Sequence, residues 1–190
     1  MARPLRIQLA GGVYHVTARG NRRQRVFLDD PDCERFLQIL PVVAARCEWR
    51  CHAYCLMPNH FHLVIETAKP TISVGMQRLN GGYAQWFNKK HGLDGHLFQG
   101  RFHAVLVESD WHLLELSRYV VLNPVRAGLC KHAVEWRWSS FRAVTGVIPP
   151  TSFLDLEPVL ARFGAEPSKA RAAFRAFVED AARLSGSGGK

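Results

Sequence analysis

The chain has 190 residues, 47% of them hydrophobic, with 25 Lys and Arg against 16 Asp and Glu for a formal net charge of +9. That apolar content supports a sizeable core, and no apolar run approaches the roughly 18 residues that a membrane span needs, so a membrane partner is not expected. An excess of positive charge instead suits polyanions, because each phosphate neutralised by Lys or Arg releases condensed counterions.

Gly11-Gly12 precedes Val13–Arg19, a strand with Tyr14, Val16 and Ala18 on one face and His15, Thr17 and Arg19 on the other. Gly20-Asn21 breaks it. Asp29-Asp30-Pro31 opens a helix to Cys47 with Phe36, Leu37, Leu40, Val43 and Ala44 at helical spacing, and Pro41 predicts a kink or break within it. Residues 50–57 form a second strand, expected to set Cys51, Ala53 and Cys55 on one face and His52 and Tyr54 on the other. Pro58-Asn59 is a tight turn into a third strand, His60–Glu66.

Ser73–Lys90 reads as a helix weakened at Gly81-Gly82, and Phe102–Val107 as a fourth strand. Asp110 is the expected cap of a helix Trp111–Leu122, which Asn123-Pro124 should end, since the residue before proline disfavours the helical region. Leu154–Phe163 and Lys169–Leu184 are further helices, and Ser185–Lys190 a flexible tail. The order β-α-β-β-α-β-α predicts an α+β, ferredoxin-like (RRM-like) fold: one antiparallel sheet with helices on one face, then an added helix. The other face, left free, would collect His15, Thr17, Arg19, His52, Tyr54, His60 and His62, groups suited to unstacked bases and backbone phosphate.

Charge divides the chain. Residues 1–150 carry 19 basic and 11 acidic side chains, residues 151–190 carry 6 and 5. The basic surface therefore belongs to a main domain over 1–150, and 151–190 reads as a helical extension. Five cysteines without a signal-like N-terminal segment read as reduced thiols in a cytoplasmic protein. Cys51 and Cys55 would lie about 13 Å apart along a strand, too far to share one zinc, and read as small buried hydrophobes.

His60-Phe61-His62 is the most telling stretch. On a strand the two imidazoles point the same way, roughly 7 Å apart at Cα, and can converge on one metal ion while Phe61, Leu63 and Ile65 face the core. Tyr119 and Asn123 lie four apart on one helix face. With a cation on the histidines, Asn123 offers a carbonyl oxygen as third ligand and Tyr119 a phenol beside it; Glu115, on the same stripe, is the second candidate ligand. Tyr83 competes as nucleophile, but its i+4 partner is Phe87, and Ala84, Trp86 and Phe87 point to packing. Arg19, Arg22, Arg23 and Arg25, with Lys89, Lys90 and Arg101, are candidates for phosphate contacts.

Met57–Val64 and the later Leu116–Leu129, with Gly12–Thr17, Gly95–Phe102 and Trp138–Ser140, resemble the HUH single-strand DNA transposases, and within them the REP-associated tyrosine transposases. The resemblance covers roughly residues 3–145. It implies that His60 and His62 bind Mg²⁺ or Mn²⁺ with Asn123 as third ligand. It also implies that Tyr119 attacks single-stranded DNA to form a 5′-phosphotyrosine and a free 3′-hydroxyl, and that the partner is an imperfect palindromic hairpin with a single-stranded flank. Such enzymes work as monomers in this branch and as homodimers elsewhere. Two other readings fit the residues: a single-stranded nucleic-acid-binding module without catalysis, separated by metal binding, and a replication-initiator or relaxase nickase, which usually carries a further large domain.

Overall fold

The computed structural model describes residues 8–186. Its elements run β1 (Gly12–Arg19), α1 (Asp30–Cys47), β2 (Trp49–Met57), β3 (His60–Thr67), α2 (Ile72–His91), β4 (His103–Leu106) and α3 (Asp110–Arg126). Two short helices, α4 (Phe141–Val144) and α5 (Glu157–Leu160), and the long α6 (Pro167–Gly186) follow. The strands form one antiparallel sheet in the order β2-β3-β1-β4, the ferredoxin-like topology that the element order predicts. The tail expected over Ser185–Lys190 falls largely outside the described residues. None of the described helices is long and apolar enough to cross a membrane.

Period-two alternation divides the strand residues between two cores. At the rear, Tyr14, Val16 and Ala18 of β1 and Phe61, Leu63 and Ile65 of β3 pack on Phe36 and Leu40 of α1 and Met76, Leu79 and Tyr83 of α2. At the front, Ala53, Cys55 and Met57 of β2 and Val64 of β3 meet Leu113, Val120 and Val121 of α3 and Phe174 and Val178 of α6. The front of the sheet, which the sequence reading left free, is therefore covered along β2. Each fully buried side chain of this size is worth about 1.5–3 kcal/mol, enough for the apolar stripe of α3 to hold it against the sheet.

Two sequence expectations fail once the elements pack against one another. A β-bulge between Cys51 and Ala53 leaves His52 as an extra residue and shifts the strand phase. Cys51 and Tyr54 thereby join the rear core, while Ala53 and Cys55 turn to the front. Tyr54 is buried beside Phe153 and lies far from any base-stacking role, and buried His52 bonds Glu66 Oε2 (3.2 Å) and the Asp155 carbonyl (3.0 Å). The prolines also break nothing. α1 runs unbroken through Pro41, anchored on both sides by buried Phe36, Leu40, Val43 and Ala44. α3, capped by Ser109 rather than Asp110, runs through Pro124 to Arg126. The Asn123 side chain assists there, its Nδ2 donating to the Tyr119 (2.9 Å) and Val120 (3.5 Å) carbonyls, the latter the acceptor that Pro124 leaves without an N–H.

All four cysteines on the sheet and α1 are buried and free, as read from the sequence, and desolvation pushes the Cys51 and Cys33 thiols up to about 12.

Candidate active site

β3 presents His60 and His62 to the front, and β1 sets Arg19 opposite His60 and Thr17 opposite His62. Across them lies α3, with Tyr119, Asn123 and Arg126 at i, i+4 and i+7 on one face. Together these side chains line an open cleft of about 520 Å³. The Tyr119 ring meets His62 edge-on at 5.7 Å and His15 at 6.0 Å, while 39% of the residue stays exposed. Arg126 stands over the same ring at 5.2 Å.

Both histidines are held through Nδ1. His60 Nδ1 lies 2.7 Å from Asn59 Oδ1, and His62 Nδ1 lies 2.9 Å from His15 Nε2, with the two ring planes within 12° and their centroids 5.1 Å apart. His62 Nε2 is buried and has no hydrogen-bond partner among the described residues. Burial, then the Arg19 guanidinium, lowers His60 to about 4; burial, then His60, His15 and Arg19, lowers His62 to about 3. His15 falls to about 4 through burial and the neighbouring His103 and His112. At neutral pH all three rings are therefore uncharged.

The donor set fits a weakly held hard or borderline cation. Two neutral imidazoles face the cleft, and Asn123 has its amide nitrogen engaged by its own helix, which leaves the carbonyl oxygen as its ligating end. No group of three His, Cys, Asp or Glu converges among the described residues, and Asn123 lines the cleft with the two histidines. Glu115, the other candidate ligand, pairs with Arg118 instead and does not line the cleft.

Residues 9–123 match the family model of the IS200-like transposases. The chain belongs to this family. The matched span contains His15, Arg19, His60, His62, Tyr119 and Asn123. The fold of this IS200-like chain is similar to that of a REP-associated tyrosine transposase solved bound to a REP hairpin, at 19% identity and TM-score 0.65, covering 82% of this chain and 98% of that one. A putative transposase from Deinococcus radiodurans R1 aligns at 20% identity and TM-score 0.44 over 63% of this chain and 94% of its own. Comparison with curated proteins gives no match.

The structure brings His15, Arg19, His60, His62, Tyr119 and Asn123 together and leaves other candidates elsewhere. Arg22 and Arg23 sit on an exposed turn, Asn21–Arg23, which joins the site through Asn59: the Asn59 side chain donates to the Arg23 carbonyl (3.2 Å) and Gly20 N–H to the Asn59 carbonyl (2.9 Å). Both arginines have positive φ (52° and 61°), a conformation costing roughly 1–2 kcal/mol each. A Cβ on Gly20 would lie 2.1 Å from the Gln24 carbonyl oxygen, so this turn closes only around glycine. Arg25 follows the turn, bordering two surface hollows.

Lys89 and Lys90 lie at the end of α2, on the rear layer, and Lys90 is engaged by Asp29 (2.5 Å) and Asp32 (2.7 Å). Arg101 borders a separate hollow with Gln77 and Asn80 of α2. Tyr83 is fully buried, donates to the Val26 carbonyl at 2.6 Å, and has its ionisation pushed far up by that burial, which removes it as a rival nucleophile. Sequence reasoning missed Arg126. The i, i+4, i+7 spacing from Tyr119 would have found it, had the helix not been ended at Asn123.

Proposed function

We propose that this IS200-like transposase nicks single-stranded DNA and transfers the strand through Tyr119, with His60, His62 and Asn123 holding Mg²⁺ or Mn²⁺. The observation that carries the reading is the exposed Tyr119 phenol edge-on to His62, whose Nε2 is buried and unpartnered beside the same cleft. A bound cation would polarise the scissile phosphate as a Lewis acid.

The chain's own groups account for the remainder. Arg19 and Arg126 border the cleft from β1 and α3 and supply positive charge on both sides of an entering phosphodiester. The Tyr119 oxygen attacks phosphorus, the bond to the 3′-oxygen breaks, and a 5′-phosphotyrosine and a 3′-hydroxyl result. The new ester conserves the phosphodiester energy, so a second 3′-hydroxyl reverses the step onto another strand. Tyrosine and histidines meet within one chain, which supports a monomer as the working unit.

As substrate we favour a hairpin with a single-stranded flank. The solved REP-associated relative was captured on a REP hairpin. In this chain the cleft is open to a strand whose phosphate can reach Tyr119, whereas base edges inside a duplex stay paired. The test is incubation of the protein with a labelled hairpin and Mn²⁺ followed by denaturing electrophoresis. A covalent adduct, silenced by EDTA and by Tyr119→Phe, is expected. Binding without any adduct would instead make the chain a non-catalytic single-strand binder.

A further inference from the structure

We propose that Asn59 and His15 are positioning residues that set the tautomers of the histidine pair: each accepts the Nδ1 proton of one ring, so that both Nε2 lone pairs face the cleft. The inference rests on the proposed cation site for its purpose, not for its geometry. Asn59 decides the first ring. Its Nδ2 donates to the Arg23 carbonyl at 3.2 Å, and a carbonyl can only accept, so the other end of the amide is the oxygen. That oxygen stands 2.7 Å from His60 Nδ1 and must accept from it. A neutral His60 carrying its proton on Nδ1 has a bare Nε2.

His15 decides the second. Its Nε2 is 2.9 Å from His62 Nδ1, and one of the two must donate. If His15 donated, the proton of neutral His62 would sit on Nε2, which is buried without a partner. A buried N–H left unpaired is the rarer defect in folded proteins. With His62 donating, that position holds a lone pair, the form in which imidazole binds a metal. The rings leave little room for turning: His62 lies edge to edge with His15 with 12° between planes, and His60 and Tyr119 stand nearly perpendicular to it at 4.9 and 5.7 Å. The Asn59 contact also makes the strained Arg22–Arg23 turn part of the support for His60.

Long-range ¹H–¹⁵N spectra of the histidine rings in metal-free protein read the tautomers directly. His60 and His62 should both show a protonated Nδ1 and an unprotonated Nε2. In Asn59→Ala and His15→Leu the corresponding ring should lose that fixed pattern, and Mn²⁺ affinity by electron paramagnetic resonance should fall about 10–100-fold, as for other residues that orient metal ligands. His15→Gln, which keeps an acceptor, should retain more of both. Circular dichroism of each variant separates loss of fold from loss of orientation. A protonated Nε2 on either ring of the wild type overturns the proposal, as do tautomers unmoved by the substitutions. Wild-type protein that shows the expected tautomers but binds no Mn²⁺ would overturn the cation reading and leave the positioning role standing.

Discussion

Behind the sheet, Tyr83 stands among Phe27, Phe36 and Phe98 with its oxygen closed off by the Val26 carbonyl. In front of it, Tyr119 stands equally close to His15 and His62, with its ring open to solvent and a guanidinium above it. Ring-to-ring spacing is alike in the two places. What differs is the satisfaction of polar atoms: the rear tyrosine has its hydrogen bond and no access, while the front cluster keeps a buried nitrogen without one. Close aromatic packing therefore serves stability at the rear and orientation at the front. A phenol can be a nucleophile only in the second setting.

Exchanging the two hydroxyls for hydrogen gives the sharpest break. Tyr119→Phe should abolish cleavage of a labelled hairpin while leaving its affinity nearly unchanged, since one oxygen leaves the chemistry and little leaves the surface. Tyr83→Phe should cleave normally but unfold earlier in urea, by about 1–3 kcal/mol, because the buried Val26 carbonyl loses its donor. A dead Tyr83→Phe beside an active Tyr119→Phe would reverse the comparison.

Truncation tests the same contrast through stability. Phe36→Ala, which empties a fully buried site against Phe61 and Tyr83, should cost about 3–5 kcal/mol in equilibrium unfolding. His60→Ala, at the edge of an open cleft, should end cleavage and shift unfolding far less. Comparable destabilisation by both would mean that the front is a core like the rear.

A smaller effect belongs to the rear layer and to acid. Asp32, fully buried, accepts from Lys90, His91 and the Leu28 N–H, and these partners hold its carboxyl below the usual range despite burial. A depressed folded pKa contributes stability that is present above the unfolded value of about 3.9 and is lost as pH falls through the folded value. The urea midpoint of the wild type should therefore exceed that of Asp32→Asn at pH 6, and the difference should shrink as pH drops below about 4.

The smallest expected effect concerns the turn beside the site. Replacing Arg22 and Arg23 with Gln should flatten the salt dependence of single-strand binding, by roughly 0.7 in log–log slope per lost phosphate contact. Replacing Lys89, on the rear layer, should leave it unchanged. Fluorescence titration of a hairpin with a single-stranded flank and of its fully paired duplex, at two salt concentrations, reads both slopes and the preference for single strands.

Local pattern determined much of this molecule. The alternation around His60-Phe61-His62 set one side chain in the rear core and two at the front, and the element order specified the sheet topology, because strand period and helix period are written in consecutive residues. The pairing of Tyr119 with Asn123 was legible for the same reason. What depended on distant partners was not. The bulge that withdraws Tyr54 into the rear core is a matter of how β2 registers on β3, and nothing within residues 50–57 announces it. Pro41 and Pro124 read as breaks because the missing hydrogen bond is local; the packing that outweighs it comes from tertiary contacts, while within α3 the Asn123 side chain answers it from three residues away. Arg126 joined the cleft only because α3 continued, and His15 reached His62 only because β1 paired beside β3. The sequence alone determined which residue types could do the chemistry and on which faces most of them lay. Only the fold decided which polar atoms found partners and that His62 Nε2 stayed bare, since that depends on side chains such as His15 and His62, 47 positions apart, meeting at 2.9 Å.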